Sequence, residues 1–135
     1  MNSRFVDSNI FVYVIMGDPA HGARSVRILT GFEEGKEVGW TSTLALSQVF
    51  SHLKKRKAYH AIDKFYEYVQ ESPVAITQTT REDMERAREI KVESGLSWSM
   101  WDDLVLASQM ERLKLTEIYS RDLDFDKFQN LKRIF

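Results

Sequence analysis

Short apolar runs alternate with longer amphipathic segments along almost the whole chain. Apolar residues recur at helical spacing in segments that include residues 20–34, 44–55 and 100–113. The intervening apolar runs are shorter and cover residues 5–7, 38–41, 74–76, 117–120 and 132–135. Short strands that alternate with amphipathic helices indicate parallel βαβ units. We therefore predict an α/β fold with a central, mostly parallel sheet of four to five short strands, flanked by helices on both faces.

Composition narrows the class of protein further. The chain has 135 residues, of which 43% are hydrophobic and 29% charged, so we expect a single domain over residues 1–135. It contains no cysteine, which excludes disulfides, thiolate metal sites and a cysteine nucleophile. Its start does not resemble a signal peptide, and no apolar run approaches the ~18 residues of a membrane span. These features predict a cytoplasmic protein without a membrane partner.

Asp7 is the residue that fits its surroundings least. It lies between the apolar residues Val6 and Ile10, where an ionised carboxylate costs free energy unless something pairs with it. If a strand ends at Asp7, the carboxylate lies at the carboxyl edge of the sheet, where α/β folds bind ligands. Asp122 directly follows the fourth predicted strand, and Asp102 begins an apolar helix.

Each of these three acids also has an ordinary structural explanation. Asp7 could pair with a lysine or accept backbone N–H groups, and Asp122 could be a turn residue. Asp102 could form a capping box with Ser99, a pattern that Thr80 and Asp83 also show. Acids at the ends of several elements of one α/β domain can nevertheless converge. Their mutual repulsion is relieved by a hard cation such as Mg²⁺ or Mn²⁺.

Four segments, in order, resemble the PIN-domain ribonucleases, and among them the small VapC-type toxins of prokaryotic toxin–antitoxin pairs. FVDSNIFVY resembles the family's opening strand with its aspartate, and TSTLALSQVF the strand-to-helix segment that usually carries a glutamate. LSWSMWDDLVLASQM resembles the helix with the central aspartate. YSRDLDF resembles the terminal Thr-x-Asp-x-Asp-Phe pattern. The resemblance covers nearly the whole chain.

The resemblance implies a fold, an activity and partners. It implies a single PIN-like domain that hydrolyses phosphodiester bonds in RNA with Mg²⁺ or Mn²⁺, inhibited by a cognate antitoxin and assembled as a homodimer. The residues expected to be catalytic and to bind the metal are Asp7, Asp102 and Asp122. The residues expected to support them are Ser8, Gln48, Asp103 and Ser120.

Two positions leave alternatives open. Gln48 stands where the family usually has glutamate, and its amide brings no charge. A non-catalytic PIN module that binds RNA or a protein therefore remains the main alternative. Helical periodicity does not choose between Asp102 and Asp103; the family register favours Asp102, with Asp103 as a backup ligand or a neighbour. A phosphotransfer domain is a weaker alternative, because an aspartyl phosphatase would have an aspartate where this chain has Asn9.

A basic run is the candidate RNA-binding surface. It comprises Lys54, Lys55, Arg56 and Lys57. These side chains could contact RNA phosphates. They are also the charges that the carboxyl end of a helix favours, and a solvated helix end is the preferred explanation. Trp98 and Trp101 could stack on a base or pack against protein.

Overall fold

The computed structural model describes residues 1–135, which form five strands and six α-helices. The strands are β1 (Ser3–Val6), β2 (Val38–Ser42), β3 (Ala75–Thr77), β4 (Glu117–Tyr119) and β5 (Lys132–Ile134). The helices are α1 (Ser8–Ile15), α2 (Gly22–Glu33), α3 (Thr43–Lys55), α4 (Tyr59–Glu71), α5 (Arg81–Ser94) and α6 (Trp101–Arg112). Two short 3₁₀ turns cover Trp98–Met100 and Leu123–Lys127.

The five strands form one fully parallel sheet in the order β3-β2-β1-β4-β5. Phe5 of β1 lies opposite Trp40 of β2 on one side and Ile118 of β4 on the other. In chain order, β2 and β3 therefore lie on one side of β1, and β4 and β5 lie on the other side. This reversal opens a crevice at the carboxyl ends of β1 and β4, where ligands bind in folds of this kind.

Helices cover both faces of the sheet, so the predicted architecture is confirmed. One core cluster includes Phe5 and Leu104 from the side of α6. The other includes Val6, Ile10 and Phe65 from the side of α1 and α4. Phe5 and Val6 belong to opposite cores because successive strand residues point to opposite faces. None of the helices combines the length and the apolar composition that a membrane crossing requires.

The helix ends confirm one predicted capping box and correct the other. Thr80 and Asp83 cap α5 as predicted, and Gly95 ends that helix in the left-handed region with φ 73°. The predicted Ser99–Asp102 capping box is wrong. A 3₁₀ turn occupies Trp98–Met100, and the Ser97 side chain accepts the Ser99 N–H instead. Helix α6 then begins without a side-chain cap, which leaves the Asp102 carboxylate available for other contacts.

Candidate active site

Asp7 lies in the crevice, directly after β1 and at the start of α1. Its side chain is 4% exposed. One carboxylate oxygen accepts the Ser120 hydroxyl at 2.6 Å and the Asn9 amide at 3.3 Å, and the other accepts the Ser8 backbone N–H at 2.7 Å. Burial raises the pKa of Asp7, whereas the hydrogen bonds from Ser120 and Ser8 lower it. These donors make a carboxylate tolerable next to the apolar residues of β1.

Ser120 links the ends of the two central strands. It is fully buried immediately after β4. Besides donating to Asp7, its hydroxyl oxygen accepts the Asn9 side-chain amide at 3.2 Å and the Asp122 backbone N–H at 3.0 Å. Ser120 thus fixes the orientation of Asp7 and the start of the chain segment that carries Asp122. The supporting role predicted for Ser120 in catalysis stays a prediction.

Three further carboxylates lie together within electrostatic reach of Asp7. One oxygen from each of Asp103, Asp122 and Asp124 lies within 4.8 Å of the others. Asp122 begins the second 3₁₀ turn, and its carboxylate accepts the Asp124 backbone N–H at 2.9 Å. Burial raises the pKa of Asp103 to about 7, and the charges of Asp122, Asp7 and Asp124 contribute to the rise. We call Asp7, Asp103, Asp122 and Asp124 the acidic cluster.

The donor set of the acidic cluster suits a hard divalent cation. It offers only carboxylate oxygens, the ligands that Mg²⁺ and Mn²⁺ prefer, and it has no histidine or sulfur ligand. Burial, and then the negative charges of the neighbouring acids, raise the pKa of Asp103, so an ionised carboxylate at this position costs free energy. A bound cation would remove that cost.

The metal-free protein is expected to lose stability as pH rises through 7. The pKa of Asp103 is near 7 in the folded state and near 3.9 in the unfolded state. Between these two values the folded state binds more protons than the unfolded state, so stability falls as pH rises from about 4 to 7. Allowing for solvent screening at this half-buried site, we expect Asp103→Asn to raise stability at pH 8 by about 1 kcal/mol, or roughly 4 °C in Tm.

Calorimetry in EDTA at pH 5.5 and pH 8 measures this effect. The Asp103→Asn variant should show a smaller drop in Tm between the two pH values than wild type. Asp63→Asn, which changes an exposed carboxylate on α4, is the control and should behave like wild type. An equal drop in Asp103→Asn and wild type would show that Asp103 does not titrate against its acidic neighbours.

Comparisons with known proteins establish the family. The PIN domain model matches residues 4–131, which is nearly the whole chain. The chain belongs to the PIN-domain family. No curated protein has a sequence that matches it significantly.

Several solved structures share the fold of this PIN domain. Mycobacterium tuberculosis VapC20, described as a toxin that cleaves the sarcin–ricin loop, has a TM-score of 0.75 and 20% identity, over 90% of this chain and 92% of that one. Rickettsia felis VapBC2, bound to a DNA fragment from its promoter, has a TM-score of 0.72 and 18% identity, covering 98% and 97%. A Klebsiella pneumoniae toxin–antitoxin complex has a TM-score of 0.71 and 17% identity, covering 96% and 95%.

The PIN-domain helix α6 places Asp103 in the acidic cluster and turns Asp102 toward α3. Asp102 is exposed, and its carboxylate accepts the Gln48 amide N–H at 3.0 Å. Neighbouring residues on a helix point about 100° apart, so the two acids take different partners. The family register predicted Asp102 as a ligand together with Asp7 and Asp122, with Asp103 as a backup ligand or a neighbour. The carboxylates that lie within 4.8 Å of one another are those of Asp103, Asp122 and Asp124.

Asp124 is the member of the acidic cluster that the sequence analysis missed. The Thr-x-Asp-x-Asp-Phe pattern contains a second aspartate, and Asp124 occupies that position in YSRDLDF. The second aspartate of the pattern could therefore have predicted Asp124 as a candidate metal ligand. Asp124 joins the cluster because the 3₁₀ turn after Asp122 brings its carboxylate back toward α6.

The basic run from Lys54 to Lys57 lies apart from this site. All four side chains are exposed at the end of α3 and just beyond it. Helix α3 begins at the carboxyl edge of the sheet, directly after β2, and its 13 residues extend roughly 20 Å from that edge. The structure therefore does not bring these cations together with the acidic cluster, and their contact with RNA stays a prediction.

Proposed function

We propose that this PIN domain is a metal-dependent ribonuclease that hydrolyses phosphodiester bonds in RNA, and that it is the toxin of a VapBC-type toxin–antitoxin pair. The observation that carries the proposal is the acidic cluster at the crevice between β1 and β4. Membership of the PIN family supports nuclease activity. The fold shared with VapC20, a toxin that cleaves the sarcin–ricin loop, supports the choice of RNA.

The acidic cluster would hold one or two Mg²⁺ or Mn²⁺ ions. When bound, such an ion supplies Lewis-acid stabilisation of the charge that develops on the phosphate and an activated water at neutral pH. Hydrogen bonds from the Ser120 hydroxyl and the Ser8 backbone N–H orient Asp7 and oppose the rise in its pKa that burial causes. Burial and the acidic neighbours raise the pKa of Asp103 to about 7, which favours its neutral form below neutral pH.

The structure gives less support to phosphotransfer through Asp7. Both Asp7 oxygens already accept hydrogen bonds, and the side chain is almost fully buried. Asn9, which stands where a phosphatase would have its second aspartate, donates to Asp7 and so helps to orient it. A covalent acceptor would need an oxygen free to attack phosphorus.

Incubation of the purified protein with mixed cellular RNAs tests the proposal. We expect cleavage in millimolar Mn²⁺ and none in EDTA. Asp122→Asn should lose the activity, whereas Asp63→Asn on α4 should retain it. If wild type neither binds Mn²⁺ nor cleaves RNA, the non-catalytic PIN module that Gln48 suggests becomes the better account.

Gln48→Glu is expected to tighten Mn²⁺ binding by about tenfold and to raise cleavage several-fold. The substitution places a second carboxylate against Asp102, where the Gln48 amide now lies at 3.0 Å. In the metal-free protein the two like charges repel, so Tm should fall and recover when Mn²⁺ is added. Calorimetric titration with Mn²⁺ measures the affinity.

Gln70→Glu is the matched control for this charge change, since Gln70 is exposed on α4. It should alter neither metal affinity nor cleavage. If Gln48→Glu also leaves both unchanged, position 48 does not contribute to the metal site, and the pairing of Gln48 with Asp102 is only structural.

The proposal extends to the protein's partners. We propose that residues 1–135 act as one domain, in the cytoplasm, as a homodimer bound by an antitoxin. An antitoxin could inhibit by placing a basic side chain against the acidic cluster in competition with the metal. Light scattering at micromolar concentration tests the dimer. Co-purification from the native host and growth arrest on expression alone test the antitoxin.

A further inference from the structure

A group of arginine and aromatic side chains adjoins the acidic cluster and takes no part in holding it. The guanidinium carbons of Arg24 and Arg121 lie 4.6 and 5.5 Å from the centre of the Phe135 ring. The rings of Tyr13 and His21 lie 6.1 and 5.5 Å from the same centre. We call these five residues the arginine–aromatic patch. A cation within about 6 Å of a ring centre is attracted by the ring, so Phe135 holds both guanidinium groups.

The two arginines of the patch have free donors. Both are exposed, and neither forms an ion pair or donates a side-chain hydrogen bond to the protein. Several other arginines are instead paired with carboxylates. Those pairs are Arg4 with Glu37 and Glu117, Arg81 with Glu85, Arg86 with Glu89, Glu93 and Glu111, Arg112 with Asp83, and Arg133 with Asp126. A guanidinium has five N–H donors, so the patch presents ten that are not used within the protein.

The patch is connected to the acidic cluster through Asn9. The Arg121 backbone N–H donates to the Asn9 side-chain oxygen at 3.4 Å, and the Asn9 amide donates to Asp7 at 3.3 Å. Arg121 also immediately precedes Asp122 in the chain. Burial raises the pKa of Tyr13, the charge of Arg121 opposes that rise, and the charges of Asp18 and Asp7 add to it. Tyr13 therefore lies within electrostatic reach of both groups.

We infer that Arg24 and Arg121 bind phosphate groups of the RNA strand next to the one that is cleaved, and that Phe135 positions them. The inference rests on the proposed ribonuclease function and names the surface that receives the substrate. RNA is a polyanion, so the four carboxylates of the acidic cluster repel it, and a chain of net charge −1 does not attract it overall. Local cations next to the cluster are therefore needed to bind the strand. Arginine suits this task because its planar fork donates two parallel hydrogen bonds to a phosphate.

Metal-free binding of a labelled single-stranded RNA, measured by fluorescence anisotropy between 50 and 300 mM salt, tests the inference. Arg24→Ala and Arg121→Ala should each weaken binding about five- to tenfold and reduce the salt slope by about 0.7, the value for one lost phosphate contact on a single strand. In Mn²⁺, both variants should raise KM and leave kcat within about twofold of wild type. Phe135→Leu, which keeps an apolar side chain but removes the aromatic ring, should show a smaller loss of binding.

Arg88→Ala is the matched control, because Arg88 is exposed on α5 and has no ion pair. It should leave RNA affinity and the salt slope unchanged. If wild type binds and cleaves RNA but both patch variants bind as wild type does, the inference is overturned while the proposed function stands. Weaker binding in Lys54→Ala and Lys55→Ala alone would overturn the inference in the same way. If wild type neither binds nor cleaves RNA, both the inference and the proposed function fail.

Discussion

Replacing Asp7 by asparagine is expected to lower metal-dependent RNA cleavage by about 1,000-fold, a loss comparable to removing a central charge-stabilising group. Asparagine keeps the size of the side chain but removes its negative charge. The amide oxygen of the new asparagine can still accept the Ser120 hydroxyl, which now lies 2.6 Å from Asp7. The fold should therefore survive while the site loses the carboxylate that burial and hydrogen bonding hold in place.

Cleavage rates in Mn²⁺, together with Tm measured in EDTA, separate these effects. We expect Asp7→Asn to melt within a few degrees of wild type. Asp63→Asn removes a carboxylate from the exposed face of α4 and should cleave RNA normally. If Asp7→Asn remains folded and cleaves within tenfold of the wild-type rate, Asp7 is a structural residue. The proposal that its carboxylate contributes to a catalytic metal site in the crevice is then wrong.

Substitutions at the two neighbouring acids of α6 are expected to differ strongly. Asp103→Asn should reduce cleavage by about 100-fold or more, because its carboxylate lies with those of Asp122 and Asp124. Asp102→Asn should cost about tenfold or less, since Asp102 is exposed and accepts the Gln48 amide. The comparison is matched in charge, chemistry and helix position.

Steady-state kinetics on one RNA substrate, with Mn²⁺ titrated for each variant, measures this difference. Asp103→Asn should require much more Mn²⁺ for half-maximal activity, and Asp102→Asn should require only slightly more. The reverse order would show that Asp102, which the family register favours, contributes more to the metal site than Asp103 does.

The fold could be predicted because its determinants are local. The apolar runs of the strands are short, and the helices between them carry apolar residues at regular spacing. Even the brief strand β5 was predicted from residues 132–135, which include its observed span of Lys132–Ile134. Asp7 could be predicted as a candidate site residue for a related reason: a carboxylate at the end of an apolar strand is unusual, whatever surrounds it in space.

Other features of the site could not be predicted, because they depend on contacts between segments that are far apart in the sequence. Whether Asp102 or Asp103 faces the crevice depends on where α6 begins, and the 3₁₀ turn at Trp98–Met100 decides that. The arginine–aromatic patch joins Arg24 to Arg121 and Phe135, which lie about 100 positions later in the sequence. Their proximity follows from the return of the chain to the sheet beside β1, and therefore only from the tertiary fold.

Crystals of the wild-type protein grown in millimolar Mn²⁺ test the central claim most directly. The account predicts an anomalous difference peak in the crevice between β1 and β4, within coordination distance of Asp103, Asp122 or Asp124, and no such peak in Asp7→Asn crystals grown in the same way. A protein that cleaves RNA in Mn²⁺ but shows no peak at the acidic cluster, or shows its peak elsewhere, would contradict the account.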